Sequence, residues 1–425
     1  MVVLKYPSHH IKNVGFISTR ITGTDGVSLE IKKWADILER NGYKCFYFAG
    51  DSDRPQDKSF LVEEAHFEHP LIQRINSDLF DNRTRSRETS ETIQKIKDRV
   101  KEALYDFVKR YDVDLIIPEN ALAIPMNIPL GVAITEFIAE TGIPAIGHHH
   151  DFSWERGRFL INSCRDYLNM AFPPHLPSIQ HVVINSIASE QLSYRRGISN
   201  IVFPNVLDFA LEPPPLDDYC NDLRERIGLK DDDLFILQPT RVVPRKWIER
   251  SIEIVRNMKL PNPVLVISHE MGDEGDDYYL RIQDYSRNMG VKLIHIDHLI
   301  SSQRILNEKG GKLYSIADIY RNADLVTYPS GYEGFGNAFL EAIYYKKPIV
   351  VNRYSIYIAD IEPIGFDAIV MDGFVSSRVT LQIDRILKDK NRSQAMVERN
   401  YQLAKRHFSY EVLEEKLIHI IRTFR

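Results

Sequence analysis

Cysteine is scarce in this chain. Cys45, Cys164 and Cys220 lie far apart, and their number and spacing fit neither a disulfide framework nor a zinc site. The simplest expectation is a reducing, cytoplasmic setting. No stretch reaches the ~18 consecutive apolar residues of a membrane span. The opening "MVVLKYPSHHIKN" lacks the long apolar region of a signal peptide, so the sequon "NRT" at Asn82 reads as chance. Positive charge is not in excess either. The net charge is -5, which leaves no basic field to hold nucleic acid broadly. Two glycine fingerprints are also missing. The first strand-to-helix turn reads "TGTDGVSLE", with Gly23 and Gly26, which is not G-x-G-x-x-G, and no GxxxxGK(S/T) occurs. An NAD-dependent dehydrogenase and a P-loop ATPase are disfavoured, although a glycine-containing turn there still suits a phosphate or a sugar.

What is present is enough for two cores. The 425 residues are 44% hydrophobic and 27% charged, a globular composition in a chain long enough for two domains of roughly 200 residues. Short apolar runs alternate with helical patterns, the sign of βαβ units and parallel sheets. "NVGFIST", "YKCFYFAG", "VDLIIPE", "IPAIGHHHDF", "QHVVINS" and "NIVFPNV" read as strands of a first domain. A long polar helix runs from about Glu88 to Tyr111, capped by Thr89 or Ser90. "ALEPPPLDDYCNDLRERIGL" is proline-rich and acidic, and reads as a linker. The rhythm restarts at "LFILQPTRVVPRKW", with "NPVLVISHE", "VKLIHIDHL", "ADLVTYPS", "KPIVVNR" and "DAIVMDG" as further strands. The expectation is an α/β chain of two doubly wound, Rossmann-like domains facing a cleft, with ligands at the carboxyl ends of strands. The expected boundaries are 1–207 and 208–400, with a C-terminal helix over 401–425.

One stretch concentrates chemistry. "SGYEGFGNAFLEAIYYKKPIVV", residues 330–351, reads as loop, helix and strand. A helix N-terminus presents unpaired N–H groups and a positive dipole end to a diphosphate. Gly334 and Gly336 let backbone approach a ligand closely. Glu333 before the helix and Glu341 within it are placed to accept hydrogen bonds from hydroxyls, although an E-x7-E pair alone has little specificity. The histidine cluster sits on a strand. His148 and His150 share one face and His149 the other, which makes three consecutive metal ligands awkward. His9, His10, His175 and His181 have no motif around them.

"PSGYEGFGNAFLEA" closely resembles the donor-site signature of the retaining GT-B glycosyltransferases of family 4, the glycosyl transferases of group 1. "TGTDGVS", "HHHDF", "VVINSIASEQLSYRRGISNIVFPNVLDF" and "PTRVVPRKW" extend that resemblance over most of the chain. It implies the GT-B fold and a retaining hexosyltransferase, with catalytic roles for His150, Arg241, Lys246 and Glu333. Arg241 and Lys246 would stabilise the charge that develops on the donor diphosphate. Glu341 would hold ribose hydroxyls and Glu333 those of the transferred sugar. Gly23, Ser330, Gly334, Phe335, Gly336 and Asn337 complete the donor set. The acceptor set would be Thr24, Asp25, Gly26, His148 and Asp151. The first-turn loop, often Gly-Gly in relatives, is Gly-Thr-Asp-Gly here. The resemblance further implies a front-face route, in which the leaving phosphate takes the acceptor's proton. No metal site is expected. No cofactor is expected to be obligatory, and Mg2+ would act at most as a stimulant through the free diphosphate.

The sequence does not settle the base of the nucleoside diphosphate sugar. GDP-mannose comes first and UDP-glucose second. "ENALAIPMNIPLG" and "HHHDFSWERGRF" are similar to stretches of bacterial enzymes that build mannosylglucosylglycerate, a compatible solute. A small anionic glycoside such as glucosylglycerate then becomes the acceptor. In "LFDNRTRSRETSETIQ", Arg83, Arg85 and Arg87 alternate, either as a clamp for that anion or as an exposed basic loop. The alternative enzyme is a disaccharide phosphorylase of the same superfamily, with phosphate in place of the nucleotide. A GT-B epimerase would lack the E-x7-E arrangement, and a non-enzymatic sugar-binding protein would have lost Arg241, Lys246 or a glutamate. Partners are limited to the sugar nucleotide and a carbohydrate acceptor, without nucleic acid or membrane insertion. The oligomeric state is not legible.

Overall fold

A computed structural model describes residues 11–23, 25–271, 277–307 and 310–424. The chain divides into two compact units, one of Met1–Pro204 with Leu413–Arg425 and the other of Asn205–Val412.

The first unit is built on seven parallel strands: β1 (Asn13–Ile17), β2 (Lys44–Ala49), β3 (Ser59–Leu61), β4 (Leu115–Pro118), β5 (Ala145–His149), β6 (Ile179–Val183) and β7 (Asn200–Val202). Their order in the sheet is β3-β2-β1-β4-β5-β6-β7. The first crossover, helix α1 (Gly26–Arg40), buries Ile31, Trp34, Ala35, Ile37 and Leu38 along one face. Helix α2 (Pro70–Leu79) precedes the long helix α3 (Arg87–Tyr111). The cap of α3 is Ser86, whose side chain accepts from the amide of Thr89, so neither Thr89 nor Ser90 fills that role. The exposed hydroxyl one turn earlier wins because only the residue outside the helix can accept from its first amides. Helix α4 (Ile128–Thr141) is buried on nearly every side. Its sequence therefore lacks the polar face that betrays a surface helix.

The second unit carries β8 (Leu234–Gln238), β9 (Pro263–Ile267), β10 (Leu293–His295), a hairpin of β11 (Ile305–Leu306) and β12 (Lys312–Leu313), then β13 (Leu325–Tyr328), β14 (Ile349–Asn352) and β15 (Ile369–Met371). The main sheet is parallel, ordered β10-β9-β8-β13-β14-β15. The expected linker is fastened down. Arg304 pairs with Asp217 at 2.7 Å, Lys312 with Asp222 at 2.9 Å, and the Tyr219 hydroxyl donates to the Leu313 carbonyl. Asp217 and Asp222 are therefore ion-pair partners of the hairpin region, while Glu212 pairs with Lys346. The C-terminal part is two helices, Lys390–His407 and Tyr410–Thr423, where a single one over 401–425 was expected. At the break, the Phe408 carbonyl accepts from the Leu207 amide.

Both sheets reverse their strand order once, between β1 and β4 and between β8 and β13. In doubly wound folds, ligands gather outside the carboxyl ends of the strands at such a reversal. Among the described residues, no helix is long and apolar enough to cross a membrane.

Candidate functional site

In the second unit, the loops leaving β8 and β13 meet. The Gly331 amide donates to the Arg245 carbonyl at 2.9 Å. Trp247, at a left-handed φ of 48°, lays its indole where a Cβ on Gly331 would sit. Glu333 is buried at the centre. Its Oε1 pairs with Lys246 Nζ, and its Oε2 with Arg245 Nη1 at 3.0 Å. Burial pushes the Glu333 pKa up, but the charges of Lys246 and Arg245 outweigh it and hold the carboxyl below its ordinary range. Burial is also the main influence on Lys246. Together with Arg245 and Arg241 it pulls the ammonium's pKa down, against Glu333. Arg241 is exposed and makes no ion pair among the described residues. His269, just beyond β9, is held down at about 4 by burial and by the charges of Lys246 and Arg241, and is therefore neutral.

The rest of the loop is braced from behind. Tyr354 donates its hydroxyl to the Phe335 carbonyl at 2.7 Å, and Asn352 donates its amide to the Ser330 carbonyl. Gly336 caps the Asn337–Tyr344 helix at φ 127°, a conformation that side chains rarely adopt. The Asn337 side-chain oxygen accepts from the Asn205 amide at 2.8 Å. Ser330 is fully buried, and its hydroxyl adds to the groups that favour the Glu333 charge. Glu341 accepts from the Tyr320 hydroxyl at 2.8 Å.

In the first unit, the candidate residues collect at the carboxyl ends of β1, β4 and β5. Asp25 is the N-cap of α1. It accepts from the amides of Val27 and Ser28 and from the Ser28 hydroxyl, so both its oxygens are engaged. Gly23, at φ 75°, and Gly26 border open space, since a Cβ on either would meet nothing within 4 Å. Thr24 lies outside the described residues. The central group is one the sequence reading left out: Glu119, directly after β4. Its amide donates to the Ile17 carbonyl and its carbonyl accepts from the Ser18 hydroxyl, which ties it to β1, while a bridge joins it to His148. Its carboxylate is fully buried between two rings. His150 Nε2 approaches Oε1 at 2.5 Å and His148 Nδ1 approaches it at 2.7 Å, the latter outside hydrogen-bond angles. A carboxylate oxygen offers only lone pairs, so His150 Nε2 carries the proton of its bond to Oε1.

Burial pushes the Glu119 pKa up, but His148 and His150 reverse that and bring it to about 2. The His150 pKa is pushed down by burial, yet it ends raised because Glu119, Glu30 and Asp151 favour its charged form. Trp34 of α1 stacks 4.3 Å over His148. The Asn120 side chain links the group onward, accepting from the His150 amide and donating to Asp151 at 3.1 Å. His149 points the other way, bonded at 2.9 Å to His181, and burial keeps it neutral. The ligating atoms of Glu119, His148 and His150 lie within 4.8 Å of one another. Two nitrogens crowded on one oxygen fit shared protons better than ligands spread around an ion with bonds of ~2.1 Å.

Arg83 and Arg85 do not form a clamp. Arg85 grips Asp166 with both Nη atoms at 2.7 and 2.5 Å, donates to the Ser163 carbonyl and lies over Tyr167, while Arg83 is exposed. A bidentate carboxylate within the protein already satisfies the fork that an anionic ligand would need. Arg245 was missed because the resemblance supplied only the Arg241 and Lys246 spacing. Glu119 had a legible signal, an acid directly after a buried apolar strand.

The comparisons with known proteins point the same way. A family model described as glycosyl transferases group 1 matches residues 221–403. The chain is similar to a mannosylglucosylglycerate synthase of Thermotoga maritima, at 31% identity over 92% of this chain and 96% of that protein. It is similar to the mannosylglucosylglycerate synthase of Petrotoga mobilis at 33% identity over 84% and 86%. In fold it resembles a glycosyltransferase from Rickettsia africae, with a TM-score of 0.70 at 14% identity, covering 98% of this chain and 99% of that one. It also resembles HepE of Anabaena in complex with UDP and glucose, with a TM-score of 0.64 at 14% identity, covering 98% and 100%.

Proposed function

The chain belongs to the glycosyl transferases of group 1 and is a GT-B glycosyltransferase, and from that premise we propose that it moves a hexosyl group, with retention, from a nucleoside diphosphate sugar to a small anionic glycoside. GDP-mannose is the first donor and UDP-glucose the second. The relatives named mannosylglucosylglycerate synthase support glucosylglycerate as the acceptor. The observation that carries the donor side is the buried Lys246–Glu333 pair, joined by the exposed Arg245, beside the unpaired Arg241, at the strand reversal of the second unit.

In this reading the bond from the sugar C1 to the phosphate oxygen breaks and a bond from C1 to the acceptor oxygen forms on the same face. The acceptor's proton passes to the leaving phosphate. Arg241 and Lys246 stabilise that phosphate's charge, and Glu333 orients Lys246 and accepts from sugar hydroxyls. Phe335, Gly336 and Asn337 offer backbone amides, Gly334 and Ser330 line the approach, and Glu341 takes the ribose. In the first unit, Gly23 and Gly26 keep the turn open. His150, held by Glu119, donates to the sugar or the acceptor, with His148 behind it. No ion has an obligatory role.

A thermal-shift panel of GDP, UDP, ADP, dTDP and phosphate, run on the native chain and on Lys246→Ala, tests this. A nucleotide at ~100 times its dissociation constant stabilises its site by about 2.7 kcal/mol. One diphosphate is expected to shift the native chain and barely move the variant. Phosphate acting where no nucleotide does would replace the transferase by a phosphorylase. Retention is read from the anomeric proton of the product by NMR, and an inverted anomer would overturn the front-face route.

A further inference from the structure

With Arg85 engaged by Asp166, an anionic acceptor needs another cation. Among the described residues of the first unit, Arg83, Arg110, Arg158, Arg165, Arg195 and Arg196 make no ion pair, and of these Arg158 lies nearest in sequence to His150 and Asp151. It lies in the segment that leaves β5 through His150 and Asp151, at the second of two short 3-10 turns, Ser153–Glu155 and Gly157–Phe159. Its guanidinium lies 4.6 Å over the ring of Phe159, which packs edge-on against Phe80 at 4.8 Å. The contact of Nη2 is Met126 Sδ at 2.7 Å, a weak acceptor. Among the described residues, no carboxylate stands within ion-pair distance of it.

The acids of the same segment are already engaged. Asp151 Oδ2 pairs with Arg156 and Oδ1 accepts from Asn120, while Glu155 accepts from the Phe152 amide at 2.6 Å. Burial first, and the like charge of Arg156 second, pull the Arg158 pKa down against Asp151. A charge placed this way gains from any anion that reaches it. A planar fork stacked on an aromatic ring is also pre-ordered, so little side-chain freedom is lost on binding.

We propose that Arg158 binds the carboxylate of the anionic acceptor and is the residue by which the site prefers a carboxylic-acid glycoside to a neutral polyol. This rests on the glycosyltransferase reading above and adds a specificity-determining residue to its acceptor site. The guanidinium meets the carboxylate through two parallel N–H donors, a geometry that a hydroxymethyl group cannot reproduce.

The test is steady-state kinetics on the full chain, with the donor identified by the nucleotide panel at saturation. Glucosylglycerate is compared with glucosylglycerol, which carries a hydroxymethyl group in place of the carboxylate. The native chain is expected to favour the carboxylate. Arg158→Gln is expected to raise KM for glucosylglycerate by about 10–100-fold, as for a lost charged bidentate contact. It should leave the donor KM, the nucleotide thermal shift and the kinetics with glucosylglycerol unchanged. Arg158→Lys is expected to recover part of the loss. Equal use of the two acceptors by the native chain overturns the proposal, as does an Arg158→Gln variant that slows both alike. A native chain that transfers to neither acceptor from any donor sinks the transferase reading and this proposal together, and the absence of native activity tells that case from the others.

Discussion

Glu119 holds a carboxylate where no water reaches it, and two histidines share one of its oxygens. Burying a charge alone is costly, and removing its partner costs about 3–5 kcal/mol because the remaining group is left uncompensated. The signs of the two pKa shifts set the pH window. Glu119 is lowered to about 2, so its contribution is in place above the ordinary carboxyl range near 4.5 and fades as pH falls toward 2. His150 is raised above its ordinary 6.5, so its contribution is in place below 6.5 and fades as pH climbs through the higher folded value. Stability from the pair is therefore greatest between about pH 4.5 and 6.5 and falls off on either side. Glu119→Gln should lose about 3–5 kcal/mol within that window and less on either side. It should also lower the His150 titration, followed by its ring C–H resonance, because burial is then opposed only by the charges of Glu30 and Asp151. A His150 resonance that titrates alike in both proteins would remove Glu119 from the role of positioning this ring. His148 and His150 were legible as one face of a strand because side chains alternate there. Glu119 was legible as an acid directly after an apolar strand, but its pairing with the two rings was not, because they come from another strand; Arg158 was not legible, because nothing in "SWERGRF" separates it from Arg156.

Between β13 and the Asn337–Tyr344 helix, a single backbone conformation holds the donor loop. A Cβ on Gly336 would stand 2.3 Å from the Tyr354 hydroxyl oxygen, and the residue sits at φ 127°. Gly336→Ala therefore meets both a steric and a conformational obstacle, the second worth about 1–3 kcal/mol. It should lower the melting temperature and reduce the nucleotide shift. Tyr354→Phe removes the oxygen but leaves the buried Phe335 carbonyl without its donor, at about 1–3 kcal/mol. The double variant should lose less than the sum of the singles, because the clash is absent and the nearest remaining Tyr354 atom is 3.5 Å away. Additive losses would show that Tyr354 does not shape this loop. The glycine and the strand–loop–helix order were readable from "PSGYEGFGNAF", but the brace from Tyr354 was not, because it comes from the loop after β14, outside the motif. The same limit explains α4 and the supposed linker. An all-apolar helix has no polar face to mark it, and in "EPPPLDDYCND" Asp217 pairs with Arg304, Asp222 with Lys312 and Glu212 with Lys346.

The chain returns to its first unit at the end. From Leu413 onward the last helix belongs with Met1–Pro204, and Leu413, Leu417, Ile420 and Ile421 are buried there. Glu414 reaches Arg40 at 3.4 Å and Asn41 at 3.0 Å, and Lys416 donates to the Val202 carbonyl. Each buried aliphatic side chain contributes about 1.5–3 kcal/mol, and area-based sums of this kind are upper bounds. Four together approach the ~5–15 kcal/mol that holds a whole domain folded. A chain ended at Val412 should therefore lose most of the first unit's stability. The second unit keeps its full sheet and its Lys246–Glu333–Arg245 group in that shortened chain. Calorimetry should show the first unit's transition fall sharply or vanish. The second unit's transition should stay near its native temperature and still rise with the diphosphate that shifts the intact chain. If both transitions fell together, or if the nucleotide response went with the helix, the units would not be energetically separate and the donor site would depend on the first. A preserved nucleotide response with activity lost would instead assign donor binding to the second unit alone, as the placement of Lys246, Glu333 and Glu341 within it leads one to expect.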